Sequence, residues 1–174
     1  MAMNLFEIEI QKLDWEQMDC GCGERAAHLP GMIRDLVGLG EEHDNGEAFL
    51  PAVQDHVMTP GESLVSASSA FVSVAFAALL GPLSEPARRE TLGSLLRILG
   101  PAVDSGAPEA ADCVAAAREG LWVLYAEVMQ GESLAGAAYA FESLMLIEED
   151  LERLRAVQAA AGDRLPWDLQ QEEI

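Results

Sequence analysis

The chain repeats itself. Gly61-Glu62-Ser63-Leu64 returns as Gly131-Glu132-Ser133-Leu134, and at an offset of 70 residues 61–73 and 131–143 agree at eight of thirteen positions. Upstream, Val57-Met58 answers Val128-Met129, with one extra residue in the first copy. A turn followed by a helix, repeated at long period, is the pattern of stacked helical units, in which neighbours bury each other's apolar faces. The repeat predicts that each Gly-Glu-Ser turn reverses the chain between antiparallel helices. Ser63 and Ser133 would cap the second helix, and the Glu would sit near its positive dipole end.

Apolar residues recur at helical spacing along the rest of the chain. Leu29, Met32, Ile33, Leu36 and Val37 mark a helix over about 28–39, and a second spans about 47–58 with Pro51 in its first turn. The long apolar helix to Leu80 follows. Ser84-Glu85-Pro86 opens another, with cap, acid and proline where a start requires them. Gly100-Pro101 reads as a loop, Pro108 starts a helix to about Gln130, and a final helix covers about 133–161. Residues 3–18 read as a short irregular or strand-like start followed by a helical turn around Leu13-Asp14-Trp15. Residues 163–174 read as a tail that Trp167 either docks or leaves to fray. The sum is one all-α domain over residues 1–174, with about seven helices in antiparallel hairpins.

The 22 residues between Glu62 and Glu85 carry no charge, which is enough to span a bilayer. Leu64, Ala67, Phe71, Val74 and Ala78 form one apolar stripe, however, while Ser66, Ser69 and Ser73 form a small polar one. A buried helix fits better than a membrane span. The opening MAMNLFEIEI lacks a positive segment and is no signal peptide, and three cysteines make no disulfide framework, so a reducing cytoplasm is expected.

The residues named so far resemble the bacterial, largely actinobacterial, HEAT-repeat-like proteins. The likeness rests on Asp14-Trp15, Gly21 and Gly23, the run from Leu29-Pro30 to Leu36, Gly61-Glu62-Ser63 leading to Ala67 and Ala70, and Arg89 with Leu92, Leu95 and Leu96. It covers about residues 14–147. It departs where Val57-Met58-Thr59-Pro60 replaces the family's His-Gln, and in lacking a proline inside the Ala-rich helix. The resemblance implies a short HEAT-like α-solenoid with a binding role. Some such proteins are antitoxins or immunity proteins.

Thirty acids against ten bases, nine of them Arg, leave a formal charge of −20. Such a surface repels nucleic-acid backbones and anionic membranes and attracts a basic protein partner. The densest acids are Glu41, Glu42, Asp44 and Glu47, and Glu148, Glu149, Asp150 and Glu152, which become the candidate partner-binding residues. The second group reads as a solvated helix face, with Glu149 and Arg153 at i,i+4. The alternative is an adaptor whose charge serves solubility alone.

No catalytic apparatus is readable. The chain lacks a phosphate-binding P-loop, G-x-G-x-x-G, H-E-x-x-H and G-x-S-x-G, and no His has a Glu three residues before it. No catalytic residue, metal or cofactor is expected. Cys20, Cys22 and His28 are three ligand types on a glycine-rich stretch, but one residue between thiols is short for a zinc knuckle and no fourth ligand is evident. Free thiols are therefore expected, with Asp55 and His56 as surface residues and Cys113 as a core filler.

Overall fold

The structure, a computed structural model, describes residues 4–43 and 50–174. It is all-helical, and among the described residues there are ten α-helices rather than about seven. The first is α1 (Leu5–Lys12), where an irregular start was expected; Asn4 Oδ1 caps it by accepting from Glu7 N at 2.9 Å, and Phe6 and Ile10 are buried. The indole N–H of Trp15 then donates to Ile10 O at 2.9 Å and folds the next segment back under α1. Next come α2 (Leu29–Val37), entered through a 3-10 turn at Ala26–His28, and α3 (Leu50–Val57). They are followed by α4 (Ser66–Leu79) and α5 (Glu85–Asp104), the latter capped by Ser84 as expected.

The remaining differences in count have local causes. The helix expected from Pro108 to Gln130 is two, α6 (Pro108–Glu119) and α7 (Leu121–Gln130). The break is at Gly120, where a Cβ would lie 2.4 Å from the Phe76 ring of α4, so the core residue wedges the chain open. The helix expected over 133–161 is also two, α8 (Leu134–Ile147) and α9 (Leu151–Ala161). Pro101, expected in a loop, lies in the last turns of α5. There it forfeits one ladder bond while Ile98, Leu99 and Ala102 stay buried. The tail is held: α10 (Trp167–Gln171) docks through buried Leu165 and Leu169, and Trp167 faces solvent at 75% exposure.

The twin segments agree in their helices and differ in their turns. Phe71 and Phe141 are fully buried, as are Ala67 and Ala137, Ala70 and Ala140, Val74 and Leu144. Ser133 caps α8 by accepting from Gly136 N at 3.0 Å. Ser63 caps nothing. The first turn is a small hairpin, with Thr59 N donating to Ser63 O, Met58 bridging Leu64, and Glu62 at φ +59°. Helix α4 starts two residues later in register, and Ser68 Oγ accepts from Val65 N at 2.9 Å and donates to Val57 O at 2.5 Å.

Helix α5 is central, packing on α2, α3, α4, α6 and α8 with Leu92, Leu95, Ile98 and Leu99 buried. Gly93 lets the Tyr139 ring approach and Gly136 accommodates Leu92, so α5 and α8 sit close. No helix among the described residues is long and apolar enough to cross a membrane.

Candidate functional site

Among the described residues, the acids singled out in the sequence do not form one surface. Asp44 and Glu47 lie outside the described residues. Glu41 Oε1 accepts from Glu85 N at the start of α5, and Glu85 shares a small cleft with Ser133, the cap of α8. Glu148 lies just past the other end of α8. The fourteen residues of α8 put on the order of 20 Å between the Ser133 end, near Glu41, and Glu148, about two screening lengths at 0.1 M salt.

The 148–150 segment is a junction between helices, not a helix face. Asp150 caps α9 by accepting from Arg153 N at 3.0 Å. Glu148 is half-buried and accepts from the Tyr125 hydroxyl, from Asp150 N at 2.8 Å and from Arg153 at 3.3 Å. Burial alone would raise its pKa; the Tyr125 hydroxyl, the Asp150 amide and Arg153 outweigh it and hold the carboxyl below the usual range. Burial, with Glu148 beside it, in turn drives the Tyr125 phenol well up. Glu149 pairs with Arg118 at 2.6 Å rather than with Arg153. Glu152 is exposed. Beside this junction lies Trp122, 71% exposed, with the Arg153 guanidinium 5.3 Å from its ring centroid.

The ten bases are all engaged within the fold. Seven pair with carboxylates, including a half-buried Arg88–Glu127 contact. Arg97 donates to Gln54, Arg155 to the Ile174 carbonyl and Arg164 to Gly131 O.

A second constellation is built from the segment before α2 and the last turn of α3. Cys20 N donates to Glu24 O and Gly23 N to Cys20 O, closing a tight turn that Gly23 completes at φ +86°. This turn presents Cys20 and Cys22 with their sulfurs 3.2 Å apart. His28, at the entry to α2, places Nε2 3.5 Å from Cys20 Sγ and 4.0 Å from Cys22 Sγ. His56, in the last turn of α3, places Nδ1 3.2 Å from Cys20 Sγ and 2.7 Å from His28 Nε2. Its position corrects the expectation of a plain surface residue. Gly21 N donates to His56 O at 2.8 Å, and a Cβ on Gly21 would lie 1.9 Å from Met58 O. Only glycine allows the cysteine turn to reach the end of α3. The start of α4 braces the same turn, since Asp19 N donates to Ser66 Oγ at 2.7 Å and Asp19 O accepts from Ala67 N. Cys20 is buried, Cys22 exposed, and both imidazoles are half-buried. Burial pushes the Cys20 thiol up to about 11, and burial together with His28 lowers the His56 pKa, so the imidazole is neutral at pH 7. Cys113 is buried among alanines, as expected.

No protein family, curated protein or solved structure matches this chain. Its chemistry is therefore read from its own residues. Sequence spacing found three of the four side chains of the cluster. It missed His56, 28 residues beyond His28, because only the packing of α3 against α2 and α4 returns it to the turn.

Proposed function

We propose that this protein is an acidic helical binding module that docks a basic protein partner on the α7–α9 face around Trp122. The observation that carries the reading is an indole left 71% exposed beside the acidic junction 148–152. Tryptophan is enriched among the hot spots of protein interfaces, and this one, unlike exposed Trp167, has an acidic cluster beside it. Glu149 and Glu152 stand where they would form a charged rim. The protein's own bases are already committed, so the excess of 20 acids over bases remains for a partner to balance. Opposite fields would speed encounter, and burial of the indole would then hold the complex. In its most specific form the module is an immunity protein or antitoxin, whose carboxylates meet the Arg and Lys that a cationic toxin would otherwise offer to phosphate.

Affinity capture from the native host tests this, comparing the wild-type chain with a Trp122→Ala/Glu149→Gln/Glu152→Gln variant. The reading expects a basic protein that the variant fails to retain and whose association with wild type slows steeply as salt rises. Equal capture by both, or an association rate indifferent to salt, would remove it.

A further inference from the structure

We infer that Cys20, Cys22, His28 and His56 hold one tetrahedral zinc ion that staples the cysteine turn, the start of α2 and the end of α3 together. The inference is independent of partner binding.

Geometry is the first argument. Four potential ligand atoms lie within 4.8 Å of one another. Zinc–sulfur bonds near 2.3 Å and zinc–nitrogen bonds near 2.0–2.1 Å imply ligand–ligand edges of about 3.3–3.8 Å around a tetrahedron. The sulfur–sulfur edge is 3.2 Å and three sulfur–nitrogen edges are 3.2, 3.5 and 4.0 Å. The nitrogen–nitrogen edge, 2.7 Å, is shorter because the two imidazoles share a hydrogen bond. An ion would replace that bond and part the rings by about half an ångström, from 2.7 Å toward the tetrahedral edge.

Chemistry is the second. Two thiolates and two neutral imidazoles form a soft, closed S2N2 set, which selects zinc over magnesium, calcium or manganese. With all four positions filled by protein there is no open site for water or substrate, so the ion is structural. Binding displaces the two thiol protons to solvent, and the two thiolates then balance the charge of the divalent ion.

Construction is the third. The ligands come from three separate segments, and the backbone is built to join them. Gly21 lies against Met58 O where no side chain fits, and Ser66 and Ala67 of α4 fasten Asp19 beside Cys20. Helix α3 packs on α2, α4 and α5 with Val53 and Val57 buried, and an ion at its last turn would tie that end to the cysteine turn and to α2.

The test uses the full chain, reduced and then dialysed with one equivalent of zinc. We expect one zinc per chain retained against dialysis. Cobalt(II) in its place should give thiolate charge-transfer absorption and tetrahedral d–d bands. Cys22→Ser, at an exposed side chain whose loss leaves packing intact, and His56→Asn should each lose both signals while keeping the wild-type helical circular dichroism. Their affinity for zinc should fall more than about 100-fold, since even groups behind the ligands are worth about 10–100-fold. Failure of the reduced wild-type chain to retain zinc would overturn the inference. So would retained zinc that survives both substitutions, which would place the metal on surface carboxylates instead.

Discussion

The segments 61–64 and 131–134 have the same four residues and fold differently. In the second, Ser133 caps α8 directly. In the first, the same tetrapeptide forms a hairpin, and the helix takes its cap from Ser68. The identical residues are not what decides. Ahead of the first copy lies one extra residue, and Thr59 Oγ1 accepts from Ser63 N at 3.1 Å while Met58 bridges Leu64. That frees Ser66 and Ala67 to hold Asp19, and Met58 O to receive the side-chain-free face of Gly21. The residues that flank the first turn, Met58, Ser66 and Ala67, brace the segment that carries the cysteine–histidine cluster. The second faces no such demand and stays a simple cap. Where a repeated sequence departs from its twin, a neighbouring site is the physical reason.

Substitutions at matched positions sharpen this contrast. Phe71→Ala and Phe141→Ala should each cost about 3–5 kcal/mol in urea denaturation, because both rings are fully buried at equivalent places. Costs that differ more than twofold would break the equivalence of the helices. Gly21→Ala belongs to the first unit alone and should cost about 1–3 kcal/mol or more, since its Cβ meets backbone that cannot yield. Zinc retention should weaken with it. Ser133→Ala should lower stability by about 0.5–2 kcal/mol, whereas Ser63→Ala should fall within about 0.5 kcal/mol of wild type. A reversed order would mean that both serines cap after all. Smallest is Glu62→Gly, which relieves a left-handed residue costing about 1–2 kcal/mol but adds about 0.5–1 kcal/mol of chain entropy. The net gain is at most about 1.5 kcal/mol, and Glu132→Gly should bring none.

The helices were legible in the sequence where an apolar stripe meets a start signal, Pro30 at α2 and Ser84 at α5, and in the buried faces of α4 and α8. Breaks set by tertiary contact were not. Nothing near Gly120 announces that Phe76, 44 residues earlier, will press on it, and nothing in Glu148-Glu149-Asp150 announces that Asp150 will start a new helix. Of the cluster, Cys20, Cys22 and His28 were visible because they share one short stretch. His56 was invisible because helical periodicity places a residue on a face but does not say which turn that face will meet. The acids were legible as charge and illegible as roles. Glu148 and Asp150 have structural partners, and Trp122, which no sequence pattern singled out, stands exposed beside them.

The zinc ion proposed for Cys20, Cys22, His28 and His56 is what sets the first unit apart from its twin. X-ray absorption at the zinc edge, on the reduced, zinc-loaded full chain, reads it directly. The account predicts two sulfurs at about 2.3 Å and two nitrogens at about 2.0–2.1 Å. A first shell of oxygen and nitrogen without sulfur would contradict it.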